Sequence, residues 1–108
     1  MKTIPFLLVA ASLVLALPAH ASKGNAEAGK AKSTACAACH GEDGVSKIPS
    51  FPKLAGQHRD YLYHALKDYQ SGKRKNPVMS EQVKNLSDAD LADLAAWFSS
   101  QKGLSIKY

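Results

Sequence analysis

Two cysteines, Cys36 and Cys39, stand three positions apart in the stretch STACAACHGEDG, and His40 directly follows the second. They are the only cysteines in the chain. Two thiols at that spacing with an adjacent imidazole suit three chemistries: a disulfide, a metal site, or covalent attachment of a cofactor. A redox-active Cys-x-x-Cys pair usually opens a helix after a strand, inside a βαβ frame. No strand-like alternation precedes Cys36. A structural zinc ion needs four ligands, and two sulfurs with one imidazole leave it short.

Covalent haem attachment fits without adjustment, since Cys-x-x-Cys-His is the signature of a c-type haem. The two thiols add to the two vinyl groups of the porphyrin, and the spacer spans those vinyls along one helical turn. His40 then projects toward the ring centre and offers its imidazole to iron. Ala37 and Ala38 are small enough to let the backbone lie close to the macrocycle.

Haem iron has a second axial position, and its occupant separates carriers from catalysts and gas sensors. Met79 is the one thioether candidate beside Met1, and it sits in KNPVMSEQ, where Pro77 limits backbone freedom. His58 and His64 are the alternatives. His58 precedes Leu62 by four residues, near an apolar face, whereas His64 points away from it. A bis-histidine iron would sit at a lower potential than a His/Met iron.

These residues need helices to position them. The first expected helix covers 25–36, rich in Ala and Lys, with Gly29 in its middle as a point of close helix contact. The second covers Arg59–Ser71, where Leu62, Ala65, Leu66 and Tyr69 share one face and Gly72 stands as the C-terminal cap. The third opens with Ser87 as N-cap and Asp90 as capping-box partner. It buries Leu91, Leu94, Ala95 and Phe98, with Trp97 beside them, and Gly103 closes it. A short turn of helix is expected at 81–85 behind Ser80. Gly and Pro punctuate the loops between. The reading is one all-α domain.

The ends set the compartment. Residues 1–21 read as a signal peptide: Lys2, an apolar run from Ile4 to Leu17, then Pro18 and the small-x-small site Ala19-His20-Ala21. The run is shorter than the roughly 20 residues a bilayer span needs. Cleavage after Ala21 leaves a 22–108 domain exported to the periplasm, with no stable membrane insertion. That domain holds seven Leu, two Ile, three Val and two Phe, about one residue in six, which is little for a self-sufficient core. An apolar cofactor ring would complete it, so the apoprotein is expected to fold poorly. The net charge of +5, from 14 Lys and Arg against 9 Asp and Glu, is modest. Nucleic acid is not an expected partner.

The segments CAACHGEDG, IPSFPKLAGQ, KNPVMSEQ and LSDADLADLAAWFSSQ, in this order, resemble the small class I cytochromes c of bacterial periplasms. The likeness is to single-haem members related to each half of the di-haem cytochromes, and it covers nearly the whole 22–108 domain. It implies a fold of three main helices and a short one wrapped around one covalently bound haem c. It implies that Cys36 and Cys39 carry that haem, that His40 and Met79 ligate its iron, and that the Pro49 carbonyl receives the His40 N–H. It also implies that the first helix packs on the last, with Gly29 against Trp97 or Phe98. Asn76 would reach the Met79 sulfur, and Arg59 or Arg74 a haem propionate. The activity implied is one-electron transfer between redox proteins rather than enzyme catalysis. Lys47, Lys53, Lys73, Arg74 and Lys75 would favour partners with acidic patches. The alternatives are an electron-transfer subunit of a larger oxidoreductase, or a bis-His or open-site haem sensor or enzyme.

Overall fold

The computed structural model describes residues 2–5, 10–12 and 24–103. The expected cleavage point after Ala21, and most of the leader before it, lie outside the described residues. Among the described residues five helices follow one another: α1 (Ala26–Lys32), α2 (Thr34–His40), α3 (Arg59–Ser71), α4 (Pro77–Val83) and α5 (Asp88–Ser99). Among the described residues there is no strand, and no helix is long and apolar enough to cross a membrane. The all-α class is the one expected.

The helix starting near Asn25 does not run unbroken to Cys36. It stops at Ser33, which keeps right-handed dihedrals (φ −82°, ψ −1°) but caps α1 and stands before α2. The Ser33 N–H and hydroxyl both donate to the Lys30 carbonyl, at 3.2 and 2.8 Å. A serine that bonds back to the backbone competes with the regular ladder. A second short helix, α2, then carries the whole of Cys36 to His40.

The α3 helix keeps its expected bounds, and Gly72 follows it with φ +84°, the left-handed cap position that favours glycine. The α5 helix begins as the sequence dictates. The Ser87 hydroxyl accepts from the Asp90 N–H, and the Asp90 carboxylate accepts from the Ser87 N–H. Its C-terminal end comes earlier than expected, at Ser99 with Ser100 as the cap rather than Gly103. Its buried face presents Leu91, Leu94, Ala95 and Phe98.

The short helix differs most from expectation. It begins at Pro77 rather than Glu81, because the Asn76 side chain accepts from the Val78 and Met79 N–H groups, at 3.1 and 3.2 Å. Asn at the cap followed by Pro at the first helical position is a strong start signal. Met79 therefore rides on α4, ahead of the turn expected at 81–85.

Packing of α1 on α5 forms the back of the domain. Gly29 is buried against α5, and a Cβ there would lie 2.0 Å from the Asp93 carbonyl oxygen and 2.8 Å from Trp97 Cβ. Of the two expected neighbours, Trp97 is the one that meets Gly29, while Phe98 faces the interior. The Lys32 ammonium bridges Asp90 at 2.8 Å and Asp93 at 2.6 Å, and Asp93 also accepts from the Asn25 N–H. Lys32, helped by the Ser87 N–H, holds the Asp90 carboxyl down at about 2, and Lys32 likewise lowers Asp93. Groups with depressed folded-state values stabilise the fold above the unfolded carboxylate range near pH 4 and lose that contribution as pH falls toward 2. Lys32→Met should therefore lose less stability than wild type between about pH 4 and 2, read as a flatter acid limb in thermal unfolding.

Candidate functional site

A cleft of about 500 Å³ opens between α2, α3, α4 and α5 and the loop after His40. The apolar face of α3 (Leu62, Ala65, Leu66 and Tyr69) lines it, as do Leu94, Ala95 and Phe98 of α5. Cys36, Cys39 and His40 enter from α2, and Met79 from α4. Among the described residues no carboxylate lines it. A larger groove of about 670 Å³ lies along α1, α2 and the end of α5. It includes Glu42 and Asp43 but neither thiol, nor His40, nor Met79, so the chemistry belongs to the smaller cleft.

His40 is buried, and its Nδ1 lies 2.8 Å from the Pro52 carbonyl oxygen. A carbonyl only accepts, so Nδ1 carries the proton and donates. Nε2 is left with its lone pair, the form in which imidazole binds metal. Phe51 packs edge-to-face on the ring, with centroids 6.5 Å apart.

The carbonyl acceptor was expected to be Pro49. Pro49 is instead exposed inside a tight turn closed by the Phe51 N–H to Ile48 carbonyl bond of 3.0 Å. It holds the second position of that turn, where its fixed φ is suited. The chain then returns so that Pro52 faces the imidazole. Ser46 ties this loop to α2, donating to the Cys39 carbonyl at 3.0 Å and accepting from the Ile48 N–H. Two prolines three residues apart are equivalent in sequence, and only the turn distinguishes them.

The two thiols are not joined by a disulfide, and both are half-buried. Burial pushes the Cys36 thiol above its ordinary value, the reverse of the lowered value that activates a redox dithiol. Among the described residues, no group of three or more His, Cys, Asp or Glu side chains converges to hold a metal ion.

Other expected contacts divide. Arg74 lines the cleft and stacks over the Tyr69 ring at 4.8 Å, and Lys53 lines it too. Arg59 does not; its Nε lies 3.9 Å from Asp60. Asn76 lines the cleft, and its side-chain oxygen caps α4, accepting from the Val78 and Met79 N–H groups. His58 and His64 are exposed and neither lines the cleft. Gln70 carries no sequence signal beyond being polar near a helix end, and Ser80, expected to stand before a turn at 81–85, lies inside α4; the two bond α3 to α4.

Two thiols on one helical turn, an imidazole with a free Nε2 and a thioether share one apolar cleft. That donor set fits a haem c and defines a covalent haem domain. The cytochrome c family profile matches residues 26–102, and the chain belongs to that family. It is 53% identical over 98 residues to cytochrome c4 of Pseudomonas aeruginosa, covering 89% of this chain and 48% of that one. It is 44% identical to cytochrome c-554(548) of Halomonas halodenitrificans, covering 73% of this chain and 99% of that protein. The crystal structure of reduced cytochrome c4 from Pseudomonas stutzeri superposes with a TM-score of 0.72 at 49% identity, over 75% of this chain and 47% of that chain. The chain therefore spans about half the length of the cytochrome c4 relatives it matches. A cytochrome c domain carries covalently bound haem c, and Cys36, Cys39 and His40 stand in its attachment spacing.

Proposed function

We propose that this chain is a periplasmic one-electron carrier whose haem iron is held by His40 Nε2 and the Met79 sulfur. In this reading Cys36 and Cys39 form the thioethers, and the leader is removed after Ala21. The observation that carries it is the shared cleft: His40, oriented by the Pro52 carbonyl, and Met79, held on a capped helix, line one apolar space with both thiols. When bound, the haem supplies a ferric/ferrous couple.

The residues here do the rest. Pro52 fixes the imidazole tautomer and so the direction of its lone pair. Leu62, Leu66, Leu94 and Phe98 exclude water from the ring, which limits reorganisation when charge changes. With Nδ1 occupied by Pro52 and Nε2 by iron, His40 has no nitrogen left for acid–base work, which supports carriage over catalysis.

Lys53 and Arg74 at the cleft, with exposed Lys73 and Lys75 beside it, give its mouth a positive bias. Partners would be redox proteins presenting acidic surface. A relative at 36% identity from Stutzerimonas stutzeri bears the name thiosulfate dehydrogenase electron acceptor, a role compatible with such docking.

Met79→Ala tests the ligand. The oxidised wild type should show the weak red absorption of iron–thioether coordination. The variant should lose it, bind carbon monoxide rapidly when reduced, and shift in potential by on the order of 0.1 V, within the ~0.8 V range that axial ligands set. A wild type without that band, binding carbon monoxide as readily as the variant, would refute His/Met ligation.

A further inference from the structure

The α4 helix is only seven residues long, too short to persist by its own hydrogen bonds, so something outside it must fix Met79. Its N-terminus is tied by Asn76, as described. The other attachments come from the last turn of α3. That turn leaves orphan carbonyls, as every helix end does, and the Tyr69 carbonyl accepts from the Ser80 hydroxyl of α4 at 3.1 Å. In return, the Gln70 amide nitrogen donates to the Val83 carbonyl that ends α4, at 2.9 Å, and to the Leu86 carbonyl beyond it, at 2.7 Å. Each helix end thus satisfies the other, and the three bonds are part-buried. Val83, 2% exposed, closes the apolar side of the same joint.

We propose that Gln70 and Ser80 are positioning residues for the iron–sulfur bond: their reciprocal capping of α3 and α4 sets how firmly Met79 is held against competing ligands. This rests on Met79 being the iron ligand. Losing the Ser80 hydroxyl takes that donor from the Tyr69 carbonyl, and losing the Gln70 amide takes it from the Leu86 carbonyl, while the Val83 carbonyl keeps the Leu86 N–H at 3.1 Å. Either loss costs the joint a part-buried bond and lets α4 shift toward arrangements in which the sulfur is withdrawn. An external ligand binds only to that withdrawn population, so its apparent affinity reports the tether directly.

The test titrates ferric holoprotein with imidazole, using wild type, Gln70→Leu, Ser80→Ala and Ser80→Thr. Ser80→Ala and Gln70→Leu should bind imidazole more tightly, by about tenfold or more, as loss of a buried hydrogen bond implies. Ser80→Thr, which keeps the hydroxyl, should return close to wild type. A merely structural role would lower the melting temperature without raising imidazole affinity selectively. Should Gln70→Leu fail to mature, the Ser80 pair decides alone. Affinities within about twofold of wild type, in proteins that all retain the red band, would overturn the tether and leave Met79 ligation standing. A wild type lacking the band would overturn both.

Discussion

Replacing Cys36 and Cys39 together with alanine should give a colourless protein with no cooperative thermal transition, even when made in a host that matures c-type haem. The reason lies in the inventory of the core. Among the described residues nine apolar ones are buried; four of them are alanines (Ala55, Ala92, Ala95 and Ala96), and only Leu91 and Leu94 are large and fully enclosed. Cys36, Leu54 and Leu66 pack on that cluster but are only partly buried themselves. A domain this small buries a modest share of its surface and normally needs a staple or cofactor to persist. The cleft walls are apolar on α3 and α5 at once, so a haem held there would join two helices that meet through few large side chains of their own. Far-UV circular dichroism with a thermal ramp, beside a pyridine haemochrome assay, checks this. A haem-free variant that melts cooperatively near the wild-type temperature would show that the side chains alone suffice.

The parts of this arrangement that were legible in the sequence are those fixed by local chemistry. Cys36, Cys39 and His40 announce haem because attachment needs that spacing on one turn. Ser87 and Asp90 announce the start of α5 because the capping box closes within four residues. The 3.6-residue rhythm of Leu62, Leu66 and Tyr69 gave α3 and the face that lines the cleft. Asn76-Pro77 is equally local: the cap and the proline start α4 four residues ahead of the expected turn at 81–85. What stayed illegible depends on chain segments meeting from a distance. Pro52, not Pro49, faces His40 because a turn intervenes. Lys32 gathers Asp90 and Asp93 across some sixty positions, and no run of residues encodes that meeting. Gln70 looks like one more polar residue near a helix end until α4 lies beside it.

The same contrast gives the second large effect, at Gly29, where local and tertiary reasoning predict opposite signs. A glycine inside a helix costs about 1 kcal/mol relative to alanine, so helix propensity alone makes Gly29→Ala stabilising. In the folded protein, the added Cβ would sit 2.0 Å from the Asp93 carbonyl oxygen and 2.6 Å from its carbon. Both are backbone atoms in the middle of α5, so no rotamer change relieves the clash, and α1 must move bodily outward. Moving it strains the Lys32–Asp93 pair, the Asn25–Asp93 bond and the stacking of Lys30 over Trp97. Overpacking a well-filled contact typically costs 1–3 kcal/mol, and a backbone clash belongs at or above the top of that range. After the propensity gain, a net loss of about 2 kcal/mol is expected, which in a domain of this size lowers the melting temperature by roughly 8–15 °C. Gly29→Val should be worse, adding two methyl groups and χ1 restriction to the same clash. Neither substitution touches the cleft, since α1 contributes no residue to its lining, so the visible spectrum and imidazole affinity of whatever folds should match wild type. Holoprotein thermal unfolding decides it: a Gly29→Ala protein at least as stable as wild type would mean that α1 and α5 do not approach as closely as their backbones indicate.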